Sequence, residues 1–226
     1  MKILLTGAAG FLGSYLLKHL PSKYIIESTD IKINKLHNIA RYGFPAPQYD
    51  IIINCAAELF DQDEMMTANV VGVDNLAKYC KKRNTKLIHF SSVSIYGNSY
   101  YGITKKIGEE LIRFWNPNNW VILRMTNIYE PLGKGDSPAC RFSRGEREIF
   151  GTGIHEKDHI HIRDVLQAVK LAIENDWKGE INLSSGTTLS INNIWARLGI
   201  GKPIYIDKKP DMEQSTLDNN KALSLG

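Results

Sequence analysis

Short apolar runs alternate with helix-patterned stretches from the first residue to about Tyr129, and this alternation limits the fold more than any other feature. Lys2 to Thr6, Tyr24 to Thr29, Asp50 to Asn54, Lys86 to Ser91 and Trp120 to Arg124 read as strands. Leu12 to Leu20, Glu64 to Arg83 and Tyr101 to Trp115 read as helices between them. Strands that are apolar almost throughout are buried on both faces, and strands joined by helices run parallel. The expectation is an α/β chain with a doubly wound parallel sheet.

After about Tyr129 the pattern changes. Glu130-Pro131-Leu132-Gly133-Lys134-Gly135 is a loop rich in breakers. Beyond it come a helix from Asp164 to Asn175, a strand at Glu180 to Leu183, a helix from Ser190 to Leu198 and a strand at Ile204 to Ile206. Residues 1–129 are expected to form the main domain, completed by the helix at about 164–175. Most of 130–226 is expected to form a small C-terminal lobe.

The net charge of +4 is spread along the chain, apart from Lys81-Lys82-Arg83. That cluster suits the negative pole of a helix end, so no nucleic-acid partner is expected. No apolar run nears ~18 residues, so no membrane span is expected either. Met1-Lys2 leads straight into a strand pattern and leaves no room for a leader. Cys55, Cys80 and Cys140 lack metal-ligand spacing and fit reduced thiols in a cytoplasm. No metal is expected.

Thr6-Gly7-Ala8-Ala9-Gly10-Phe11-Leu12-Gly13 follows the first strand and opens a helix. A diphosphate at a helix N-terminus needs free backbone N–H groups and no side chain in the way. Gly7 permits the tight turn, Gly10 the approach of phosphate, and Gly13 close packing of helix on strand. The alternative is a glycine-rich turn with no ligand. Asp30, at the end of the second strand, can accept both ribose hydroxyls of NAD and would repel the 2′-phosphate of NADP. Lys32 and Lys35 lie close enough to blur that preference.

Tyr101 and Lys105 stand one helical turn apart on one face. A nearby ammonium stabilises phenolate, which makes Tyr101 a usable acid and base near neutrality. Ser92 follows a strand at the end where ligands gather, and could bond the substrate hydroxyl that becomes a carbonyl. Tyr96 and Tyr100 are rival phenols, but neither has a lysine four residues on.

At these residues the chain resembles the extended short-chain dehydrogenase/reductase family, the NAD-dependent nucleotide-sugar epimerases and dehydratases. The markers include Gly7 to Gly13, Asn54-Cys55-Ala56-Ala57, Asn69-Val70-Val71-Gly72, Ser91 to Gly97 and Tyr101 to Lys105. Arg124 to Tyr129, His161 to Val165 and Asp218 to Ala222 follow in the family's order. The resemblance implies a Rossmann-like fold with a substrate lobe. It implies that Gly7, Gly10, Phe11, Leu12 and Gly13 wrap the diphosphate of NAD, and that Asp30 holds the adenosine ribose. Ala56 and Ala57 would line the cofactor cleft, and Lys105 would also grip the nicotinamide ribose. Ser92, Tyr101 and Lys105 would be catalytic. Ser92, Ser94, Asn127 and Lys157 would face a nucleotide-sugar substrate. A homodimer through the helix bearing Ile107, Leu111, Phe114 and Trp115 is also implied, although those residues could equally be core.

The chain departs from the family in three places. The interval from Asp30 to Asp50 shows neither the family's extra strand nor its acidic adenine contact. The loop between Ser92 and Tyr101 is short, and the C-terminal lobe is reduced. Val93 and Ser94 occupy the places of the dehydratases' Asp-Glu pair, so water elimination is not expected. Lys157 stands where an arginine usually binds phosphate, which keeps the charge and loses the bidentate fork. The first expectation is an epimerase that oxidises a sugar hydroxyl transiently. A keto-sugar-nucleotide reductase using NADH or NADPH is the second, and a non-catalytic dinucleotide-binding protein the third. His159 and His161 alternate on a strand without a third ligand, and Arg141 and Arg144 could clamp phosphate or end a helix.

Overall fold

The computed structural model describes residues 1–31, 38–40, 48–117, 119–208 and 216–226. The chain opens with β1 (Lys2–Thr6), α1 (Phe11–His19), β2 (Ile25–Thr29) and β3 (Ile51–Asn54). α2 (Gln62–Met65) continues through a π-helical stretch, Met66–Val71, into α3 (Gly72–Arg83). β4 (Lys86–Ser92) passes through a 3-10 turn, Val93–Tyr96, into α4 (Tyr100–Trp115), β5 (Trp120–Met125) and β6 (Asn127–Tyr129). Then come α5 (Pro138–Ser143), β7 (Glu148–Phe150), β8 (Glu156–His161), α6 (Ile162–Glu174) and β9 (Gly179–Leu183). β10 (Thr188–Ser190), α7 (Ile191–Leu198), β11 (Ile204–Ile206) and α8 (Asn220–Ser224) close the order.

One parallel sheet runs β2-β1-β3-β4-β5-β9. Successive side chains of a strand point to opposite faces. Leu5, Ile53, Ile88 and Leu123 pack with Leu16 of α1 and Val165 and Val169 of α6. On the other face, Leu4, Ile52, Leu87 and Ile122 pack with Leu76 and Cys80 of α3 and Ile112 of α4. Helices cover both faces, which is why these strands lack polar alternation. The architecture is the doubly wound α/β sheet read from the sequence. The Lys81-Lys82-Arg83 cluster ends α3, next to the left-handed cap Asn84.

The strand expected at Glu180 to Leu183 is a correction. β9 joins the main sheet rather than the C-terminal lobe, with Val121 opposite Gly179 and Leu123 opposite Ile181. Ile181 and Leu183 are buried in the main core, where β9 pairs along the edge of β5. The remaining strands form the sheet β10-β8-β6 and the pair β11-β7. Phe142, Ile149, Ile191, Ile194 and Trp195 make a separate small core there.

Asp158 of β8 ties these pieces together. It is fully buried and accepts hydrogen bonds from Thr126 Oγ1, Ser184 Oγ, Ser185 N, Ser185 Oγ and Thr216 Oγ1. Burial pushes its pKa up, but the donors outweigh burial and hold it below the usual carboxylate range. A depressed folded pKa gives stability that is present above the unfolded value of about 3.9 and is lost as pH falls through the folded one. Asp158→Ala should therefore cost about 3 kcal/mol or more, because several buried donors lose their acceptor. Urea midpoints at neutral pH check the loss, and the variant should show a flatter decline of stability under acid than the wild type.

Candidate active site

The glycine turn is built to bring backbone close to a ligand. Gly7 has φ +68°, and a Cβ there would lie 2.5 Å from Ala56 N and 2.6 Å from Cys55 C. A Cβ on Gly13 would lie 2.1 Å from Gly7 O, so helix and turn touch backbone to backbone. Gly10 caps α1 without a side chain, which leaves the first N–H groups of the helix uncovered. Asp30 Oδ2 accepts from Ala9 N at 3.0 Å, so the acidic strand end meets the turn directly.

A cleft of about 420 Å³ opens beside this turn, lined by Gly7, Gly10, Asp30, Ala56 and Ala57 among others. Phe11, Leu12 and Gly13 do not line it. Phe11 lies under the loop after β6, where Cβ atoms on Gly133 and Gly135 would come within 2.9 and 2.8 Å of its ring. Leu12 packs against the core under α1. These two would serve a diphosphate through backbone only. Lys32 and Lys35 lie outside the described residues.

The cleft also includes residues the sequence reading missed. Asn38, Ile39, Glu58, Thr67 and Ala68 line it. Asn38 and Ile39 fall in the interval that showed no adenine contact, and Asn75 Nδ2 fixes the segment by donating to Ile39 O at 3.1 Å. Gly72 was the available signal. A Cβ on Gly72 would lie 2.7 Å from the Ile39 side chain, so this helical glycine marks something pressed against it. Asn69, on the π-helical stretch, braces the wall. Its Oδ1 accepts from Glu58 N, and its Nδ2 donates to Glu58 O and Thr104 Oγ1.

Ser92, Ser94, Tyr101 and Lys105 gather at the carboxyl end of β4. Ser92 Oγ donates to Ser94 Oγ at 3.0 Å and accepts from Ser94 N at 3.1 Å. Ser99 caps α4 by accepting from Gly102 N, which starts the helix at once after a short connection. Gly102, beside Tyr101, sits so close to the serine turn that a Cβ would lie 2.0 Å from Ser94 O. Lys105 is 3% exposed, and its Nζ donates to Phe90 O at 2.6 Å. Burial pulls its pKa down to about 8, against the pull of Glu109. Cys55, at the cleft, and His89, on β4, are both held neutral by burial.

Thr6, Asn54 and His89 lie side by side across β1, β3 and β4. Asn54 Oδ1 accepts from Thr6 Oγ1 and Ala56 N. Its amide nitrogen therefore donates to His89 Nδ1, which puts the imidazole proton on Nε2. This buried polar row holds the start of the Ala56-Ala57 segment against the glycine turn.

Asn127 and Lys157 stand apart from the serines, on the second sheet. Asn127 follows Met125, the register partner of Ser92, and its Nδ2 donates to Asp158 O. Asn127 pairs with His159, two residues from Lys157. His159 and His161 bracket the ring of Tyr129 at 6.2 and 5.0 Å. Burial holds His159 at about 4, and His161 Nδ1 accepts from Arg163 N to cap α6. Among the described residues, no three His, Cys, Asp or Glu side chains form a metal site, and no helix is long and apolar enough to cross a membrane. Arg144 caps the C-terminal end of α5, donates to Gly133 O and Gly135 O and pairs with Glu146, with which Arg141 also pairs. Tyr96 Oη accepts from Arg124 Nη1 at 3.1 Å.

A model described as the NAD dependent epimerase/dehydratase family matches residues 3–184. A Methanocaldococcus jannaschii protein provisionally assigned as a UDP-glucose 4-epimerase is 26% identical over 287 aligned positions, covering 99% of this chain and 92% of that protein. The alignment is longer than this chain, so the relative carries insertions. The UDP-glucuronic acid 4-epimerase of Bacillus cereus, solved with UDP-glucuronic acid and NAD, is 26% identical with a TM-score of 0.83, covering 100% of this chain and 92% of that one. A Streptomyces dTDP-4-dehydro-6-deoxy-D-allose reductase is 23% identical over 91% of this chain and 83% of its own length.

Proposed function

The chain belongs to the NAD dependent epimerase/dehydratase family, and on that premise we propose that it is a nucleotide-sugar epimerase acting by transient oxidation of a sugar hydroxyl. One observation carries the reading. A buried lysine anchored on Phe90 O, Tyr101 one turn before it and the Ser92–Ser94 pair converge where β4 ends. The cleft fits the cofactor's adenosine half: it is lined by Asp30, and its floor is a glycine turn where any Cβ on Gly7 would clash.

NAD, when bound, supplies reversible hydride acceptance. The rest falls to the protein. Asp30 accepts the ribose hydroxyls, and the uncovered N–H groups of α1 face the diphosphate. Lys105 donates to the nicotinamide ribose and stabilises the phenolate of Tyr101. Tyr101 takes the proton of the sugar hydroxyl as it becomes a carbonyl and returns it after the sugar has turned. Ser92 turns its hydroxyl proton from Ser94 Oγ to the same oxygen, while Ser94 N, which donates to Ser92 Oγ, holds Ser92 in place. Asn127 and Lys157 face the substrate diphosphate. The two places after Ser92 that hold Asp-Glu in the dehydratases carry Val93 and Ser94 here, which disfavours water elimination. A second copy of the chain packs on the outer face of α4, where Ile103, Ile107 and Phe114 are 47, 37 and 76% exposed. Molar mass in solution checks that assembly.

The test is mass spectrometry of freshly purified protein for NAD(H), followed by NMR of UDP-glucose and UDP-glucuronic acid incubated without added dinucleotide. Epimerisation with no net change in NADH is the expected result. Stoichiometric consumption of NADH or NADPH on a keto-sugar nucleotide would make the protein a reductase, the activity that the Streptomyces relative carries. Failure to bind any dinucleotide would leave a non-catalytic fold.

A further inference from the structure

Behind Lys105 lies a charge cluster that the function above does not use. Glu109 follows Lys105 by one turn of α4, so both side chains share a helix face. The Glu109 side chain is 1% exposed. Its carboxylate accepts from Arg113 Nη2 at 2.7 Å, Arg124 Nε at 2.9 Å and Arg124 Nη2 at 2.7 Å. The free edge of the Arg124 guanidinium then reaches Tyr96 Oη, and its centre lies 5.8 Å from that ring. Tyr96 closes the 3-10 turn that carries Ser94 and follows Ser92.

Taking a carboxylate out of water costs several kcal/mol, and partners must offset that cost. A merely structural cluster would be satisfied by the arginines alone. Here the carboxylate also lies one turn along the same helix face from Lys105, close enough for its charge to favour the ammonium. We propose that Glu109 is a positioning residue for the reaction: it is the counter-ion of Lys105 and, through Arg124, the anchor of the turn bearing Ser92 and Ser94. The proposal rests on the assignment of Lys105 made above.

No other described group facing Lys105 supplies that charge. Cys55, from the end of β3, is a neutral thiol, and His89, from β4, is a neutral imidazole. Phe90 gives a carbonyl, and Tyr101, on the same helix, is the phenol that Lys105 serves. Glu109 itself stays ionised: burial pushes it up, and the two arginines outweigh burial. Beyond them the carboxylates of Glu180 and Glu110 pair with Arg113.

The test is the pH dependence of NAD affinity, measured by calorimetry on the intact protein between about pH 6 and pH 10. Wild-type affinity should weaken as pH rises through about 8, where Lys105 loses its proton. Glu109→Gln keeps the shape and removes the charge, so burial acts on Lys105 with less opposition. Its weakening should begin about one pH unit lower. Arg124→Gln leaves the carboxylate less neutralised and should move the transition the opposite way. Packing alone would change affinity by the same factor at every pH, so unmoved transitions in both variants overturn the proposal. If Glu109→Gln does not fold, the sign of the Arg124→Gln shift decides. Lys105→Met separates the two assignments. Unchanged, pH-dependent affinity in that variant would refute the role of Lys105. Loss of the transition in Lys105→Met, with no shift in the other two, would refute the role of Glu109 alone.

Discussion

Tyr101→Phe should lower turnover by ~100-fold or more while NAD binds nearly as well as to the wild type. The substitution keeps the ring and its packing and removes one transferable proton. Nothing nearby replaces it. Tyr96 is occupied by Arg124 and half exposed. The buried ammonium of Lys105 remains in the variant with no phenolate to stabilise. Steady-state rates and NAD titration on the same preparation separate the effects. Turnover that survives in the variant would sink the assignment of Tyr101, and a matching loss of NAD affinity would make the residue a binding one.

Gly7→Ala should be nearly as severe, by a different route. The backbone at Gly7 lies at φ +68°, which costs an L residue roughly 1 kcal/mol or more. The new methyl would meet main-chain atoms of Cys55 and Ala56, at 2.6 and 2.5 Å, with no flexible side chain to give way. β1 and β3 cannot move apart cheaply, because Leu5 pairs with Ile53 and Thr6 with Asn54 in the centre of the sheet. The turn must distort instead, which takes its N–H groups away from the diphosphate. NAD affinity should fall by ~100-fold or more, with stability reduced by about 1–3 kcal/mol. Thermal melts with and without NAD measure both. A variant that NAD still stabilises like the wild type would show that the turn does not seat the cofactor.

The helix cap at Ser99 and the tight approach of Gly102 to Ser94 explain how so short a connection still brings Tyr101 to the serines. The spacing of nine residues between Ser92 and Tyr101 was visible in the sequence, but whether such a path could close was a matter of three-dimensional fit.

The sequence by itself determined the parts whose cause is local. Continuous apolar strands separated by amphipathic helices admit one kind of sheet, and β1, β3, β4 and β5 lie where their residue patterns put them. The glycine spacing, the strand-end Asp30 and the Tyr101–Lys105 pair were legible for the same reason: each depends on neighbours within one turn or one strand end. Only the tertiary structure decided what depends on distant partners. β9 could join either lobe until the edge of β5 was known. β6, β7 and β10 are too short to show a period. The cleft wall formed by Asn38 and Ile39 exists because Asn75 and Gly72, far along the chain, hold it there. The two loop carbonyls that Arg144 holds, Gly133 O and Gly135 O, are likewise partners that only the folded chain brings to it. Backbone periodicity is set by adjacent residues, whereas the partner of a charge or the neighbour of a short strand is set by packing across the whole chain.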